Sequence, residues 1–107
     1  MPGEEDYARD PENIHLNFSA ANHEITVHIA KTGSEDANTK YLNKIGLGSG
    51  INIRPDVTVE LLQLGSKVFR NPIEISTAGL NWVRNIRDFN IFVLRATAAG
   101  EAKVIIT

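Results

Sequence analysis

The sequence predicts an all-β fold, an antiparallel β-sandwich or jelly roll of about eight short strands behind an extended N-terminal arm. Three observations predict it. Apolar residues recur with a period of two at Ile14/Leu16/Phe18, Ile25/Val27/Ile29, Val57/Val59/Leu61 and Ile73/Ile75. Successive side chains on a strand face opposite ways, so each run has one face for a core and one for water. Turn signals separate most of these runs, and amphipathic segments of helix length are nearly absent, which argues against alternating β-α architecture.

Residues 1–12 read as the arm. Pro2, Gly3 and Pro11 bracket an acidic run whose one aromatic is Tyr7. Such a segment cannot bury enough apolar area to fold alone. The sandwich domain then occupies residues 13–107. Asn13–Phe18 and Glu24–Ala30 read as a hairpin around a five-residue loop, followed by a polar loop over 31–40. Tyr41–Leu47 fits a short strand or a turn. Gly46, Gly48 and Gly50 punctuate the chain before a short strand at Ile51–Arg54.

Residues 57–64 fit both a strand and a helical face, and the trio Val57-Thr58-Val59, with its β-branched side chains, favours strand. Gly65-Ser66 suits a tight turn into Lys67–Phe69, because glycine takes positive φ without strain. Ile73–Ser76, Leu80–Ile86, Asn90–Thr97 and Glu101–Ile106 complete the set, with Ala98-Ala99-Gly100 as the last turn. The two closing segments are apolar on both phases. The predicted C-terminal hairpin is therefore either central in its fold or in contact with a second subunit. A small sandwich normally leaves its outer faces wet, which favours the subunit contact through Phe92, Leu94, Val104 and Ile106.

At 107 residues the chain is one domain, large enough for a core without staples. It has no cysteine, which excludes disulfides, thiolate metal sites and cysteine nucleophiles. No apolar run approaches the roughly 20 residues of a membrane helix, and the arm lacks the apolar stretch of a signal peptide. The formal net charge of −2 hides an asymmetry. The arm carries Glu4, Glu5, Asp6, Asp10 and Glu12 against Arg9, leaving the body slightly basic. A nucleic-acid partner calls for a strongly basic face, and Arg84, Arg87 and Arg95 are too few and too spread out to supply one.

Candidate chemistry is sparse. His15 and His28 fall on the polar phase of neighbouring strands, where a simple hairpin register would place them on one face as the start of a metal site. No third ligand accompanies them, so solvent-facing histidines are the plainer reading. Gly46-Leu47-Gly48-Ser49-Gly50 lacks both the Lys-Ser/Thr pair of a phosphate loop and a following helix, and reads as a turn or bulge. The serines have no nucleophile-elbow context. Asp56, Glu60, Glu74 and Asp88 are not paired by any spacing. These features predict a non-enzymatic protein with no cofactor and no metal. Trp82, beside Asn81 and Arg84, fits a core ring, an interface anchor or, with Tyr41, a sugar-stacking platform.

The C-terminal third, with Leu80–Asn90 (LNWVRNIRDFN), the turn at Ala99-Gly100 and the final Lys103-Val104-Ile105-Ile106-Thr107, resembles the closing region of small virion proteins of tailed bacteriophages. That resemblance implies a cysteine-poor β-sandwich that decorates capsids or builds head and tail surfaces. It places the protein in a virion assembled in the host cytoplasm. It carries no catalytic residue across. The expected function is a structural subunit that forms a dimer or trimer and attaches to a larger assembly through its arm, with Tyr7 as apolar anchor. Neither nucleic acid nor membrane is an expected partner. The alternative is a carbohydrate-binding sandwich, with Trp82 as the stacking ring.

Overall fold

The computed structural model describes residues 12–29, 31–42, 50–77, 82–85 and 90–106, with the backbone alone at 12, 13, 82–85 and 106. These residues form nine strands and no helix: β1 Glu12–Phe18, β2 Glu24–Ile29, β3 Thr39–Leu42, β4 Gly50–Pro55, β5 Val59–Leu64, β6 Lys67–Ile75, β7 Trp82–Asn85, β8 Ile91–Ala96 and β9 Gly100–Ile106. Two sheets hold them, a four-stranded sheet in the order β1-β9-β4-β7 and a five-stranded sheet in the order β3-β2-β8-β5-β6. The arm and Tyr7 lie outside the described residues, as do Arg87, Asp88 and the glycine cluster before Gly50.

The period of two is the core. Leu16, Phe18, Ile51, Ile53, Ala102 and Val104 line the inner face of the four-stranded sheet, and Ile25, Val27, Val59, Leu61, Phe92 and Leu94 line that of the other. No polar or charged residue is buried among the described residues. Full burial of each large aliphatic or aromatic side chain contributes about 1.5–3 kcal/mol before conformational entropy is counted.

Two expected hairpins are sheet crossings instead. β1 and β2 belong to different sheets, and so do β8 and β9. β9 lies between β1 and β4, and β8 between β2 and β5, so each is an interior strand with both neighbours filled. Among the described strands, β5 and β6 are the sequential pair that forms an antiparallel hairpin, while β2 and β3 pair in parallel.

The crossings are held by each other. Asp56 N–H donates to the Glu101 carbonyl (2.9 Å), and Glu101 N–H donates to Asp56 Oδ1 (2.7 Å). Thr97 donates to the Thr58 carbonyl through both its N–H (3.1 Å) and its Oγ1 (2.6 Å). The β8–β9 and β4–β5 corners thus run side by side. Gly100 permits the approach, because a Cβ there would sit 2.6 Å from Asp56 Oδ1 and from a Val57 methyl.

This placement corrects the expected interface. Phe92, Leu94 and Val104 are 0% exposed within their own chain, so they cannot form the surface of a subunit contact. They are apolar because the opposite sheet covers them. Ile106 pairs in register with Glu12 and Ile51, and its side chain lies outside the description. The other apolar phase of β8, Ile91 and Val93, stays half-buried on the outside of the five-stranded sheet.

Two smaller differences have local causes. Lys67–Phe69 and Ile73–Ser76 were expected as separate strands but join into one nine-residue strand through Pro72. A proline without an N–H is tolerated there because β6 is a sheet edge. Residues 59–64 are strand, and the register shifts between Leu61 and Gln63. That bulge lets Leu61 and Leu64, three residues apart, both reach the core. Gly65 then turns the chain at φ 60°.

Candidate functional site

With the inner faces closed, the outward rows carry whatever the protein does through its described surface. On the five-stranded sheet, register aligns Glu24, Arg95, Glu60 and Glu74 across β2, β8, β5 and β6. Arg95 sits among the acids and donates to Glu60 Oε1 from Nε (3.1 Å), with Nη2 also 3.1 Å from the same oxygen. Next to this row lie Thr26, Val93 and Gln63, and beyond them Tyr41, His28 and Ile91. The His28 and Tyr41 rings stack at 4.9 Å and 13°. Gly33 packs against the phenol: a Cβ at Gly33 would meet Tyr41 Cζ at 2.4 Å. The Tyr41 ring is therefore engaged with its own chain, which removes it as a free sugar-stacking platform.

On the four-stranded sheet, register aligns three basic residues from three adjacent strands: His15 of β1, Lys103 of β9 and Arg54 of β4. Glu101, two residues from Lys103 and so on the same face, accepts from His15 Nδ1 at 2.7 Å. Both side chains of that pair are about half exposed, at 57% and 48%. Asp56 spends one carboxylate oxygen on the Glu101 N–H. Together with Pro55 these residues line a shallow depression of about 320 Å³.

The histidines thus separate. His15 and His28 lie on outer faces of opposite sheets, so the expected pairing on one face does not occur. Among the described residues no group of three or more His, Asp or Glu is arranged to hold a metal. His23, to which sequence reasoning gave no role, has a structural one. Its Nδ1 accepts from Ser19 N–H (2.9 Å), so Nε2 carries the proton and donates to the Ala37 carbonyl, with Asn38 Oδ1 also at 2.8 Å. One ring therefore ties the β1–β2 corner to the loop that precedes β3.

Trp82 pairs in register with Ile53, at the edge of the four-stranded sheet. Its side chain lies outside the description. The Arg54–Lys103 juxtaposition had no sequence signal, since the two residues are distant in the chain and each looks like an ordinary solvated cation. Glu60 and Glu74, which no spacing could pair, face each other across β5 and β6.

Among the described residues no helix is long and apolar enough to cross a membrane. The chain matches no family model, and no curated protein or solved structure matches it.

Proposed function

We propose that this chain is a non-enzymatic structural subunit that works by association with copies of itself and by attachment to a larger assembly. The observation that carries this reading is the outward phase of β8. Ile91 and Val93 are apolar, half-buried and central on the outer face of the five-stranded sheet. An outer face of a small sandwich is ordinarily polar, and these two apolar side chains, with Thr26 and Gln63 flanking Val93 and His28 beside Ile91, form a small patch suited to a contact. A symmetric dimer places this patch against its own copy, with the Glu24–Arg95–Glu60 row as a charged rim. The acidic segment 1–12, with Tyr7 as its apolar anchor, supplies the attachment. The resemblance of the C-terminal third sets this subunit on a virion, as a capsid decoration or head–tail surface protein of a tailed bacteriophage.

The test is sedimentation velocity on the intact chain and on Val93→Glu across a hundredfold concentration range. The reading expects concentration-dependent association of the intact chain and its loss in the variant, with circular dichroism unchanged. An intact chain that stays monomeric throughout overturns it.

A further inference from the structure

We propose that Arg54 and Lys103, beside His15, form an oxyanion-binding site on the outer face of the four-stranded sheet. The reading is independent of the self-association above, which uses the other sheet. Three basic side chains stand in one cross-strand row. Directly opposed like charges on a sheet are unfavourable unless something neutralises them. Neither of the nearby carboxylates, which line the same depression, forms an ion pair with Arg54 or Lys103. Glu101 is held by His15 at 2.7 Å, and Asp56 Oδ1 by the Glu101 backbone N–H. Among the described residues neither Arg54 nor Lys103 has an ion-pair partner. Lys103 is only partly exposed.

Arg95 sits in a different setting. On the five-stranded sheet the arginine is flanked by acids in register and bonds one of them. On the four-stranded sheet the equivalent central position is a lysine flanked by a histidine and an arginine, above a depression roomy enough for a small anion. A guanidinium fork and an ammonium side by side match the oxygens of a carboxylate or a phosphate. Glu101 holds the His15 ring through Nδ1, so His15 Nε2 can donate to the anion only when the ring is the imidazolium.

The shared ligand chemistry is an oxyanion, whose source is either phosphate or the carboxylates of an acidic peptide. The experiment is an amide-shift NMR titration of the full chain with sodium phosphate at low ionic strength, with sodium chloride at matched ionic strength as reference. The expected result is saturable shifts centred on residues 15, 54, 101 and 103. Binding should weaken about three- to tenfold in Arg54→Gln and in Lys103→Gln, and stay unchanged in Arg95→Gln. A peptide with the sequence of residues 1–12 is then added. Competition with phosphate supports the site and names an acidic peptide as the source, while phosphate binding without competition supports it and names phosphate. Shifts that fail to saturate, that chloride reproduces, or that persist in both Gln variants overturn the proposal.

Discussion

The inward and outward phases of β8 and β9 alternate residue by residue, yet they do different work. Inward, Phe92, Leu94 and Ala96 of β8 meet the core, as do Ala102 and Val104 of β9. Outward, β8 presents Ile91, Val93 and Arg95, and β9 presents Glu101, Lys103 and Ile105. The inner phase is enclosed by the opposite sheet, so its apolar character is accounted for within the chain. Among the described residues no second sheet covers the outer phase, so its apolar and unpaired cationic members carry the functional reading. The two outer phases also differ from each other: Arg95 is paired with Glu60, whereas Lys103 has no ion-pair partner among the described residues.

Truncation on the inner phase should have the largest effect. Phe92→Ala removes a fully buried ring between β2 and β5 and should lower unfolding stability by about 3–5 kcal/mol, measured by urea denaturation. A loss under 1 kcal/mol would show that the ring is not in the core. At the corner that separates the phases, Gly100→Ala drives a methyl into Asp56 and Val57. It should cost about 1–3 kcal/mol in the same assay.

On the outer phase, effects should be small and opposite in sign. Arg95→Gln removes an ion pair whose two side chains are about 30% exposed. It also leaves Glu24, Glu60 and Glu74 in a row without their cation. A loss of about 0.2–1 kcal/mol is expected after solvent screening, shrinking further in 1 M salt. Lys103→Gln should instead be neutral or stabilising by a few tenths of a kcal/mol at low salt, because it relieves like charges opposed in register. Equal losses in both variants would erase the distinction between the two rows.

The alternation itself was legible. Leu16, Phe18, Ile25, Val27, Val59, Leu61 and Ile75 could be assigned to the core because a strand forces every second residue to one side. The sheet to which a strand belongs was not legible. A connection of five residues after Phe18, or three after Ala96, serves a hairpin or a crossing equally well, and the difference lies in partners far away in sequence. That ambiguity turned the double-faced β8 and β9 into an expected subunit interface, when each is an interior strand of its own sheet. The passage of β6 through Pro72 was hidden because edge position is a property of the whole sheet. The basic row was hidden for the same reason: His15, Arg54 and Lys103 become neighbours only once β9 lies between β1 and β4.

Thiol labelling tests the division between phases most directly, since the chain has no cysteine of its own. Single cysteines are placed by Val93→Cys and Leu94→Cys, and labelling rates are followed under native conditions as protein concentration rises. The account predicts that the thiol at position 94 stays unreactive until the protein unfolds. The thiol at position 93 should label readily when dilute and become protected as copies associate. Equal native labelling at both positions, or a rate at 93 that ignores concentration, would contradict it.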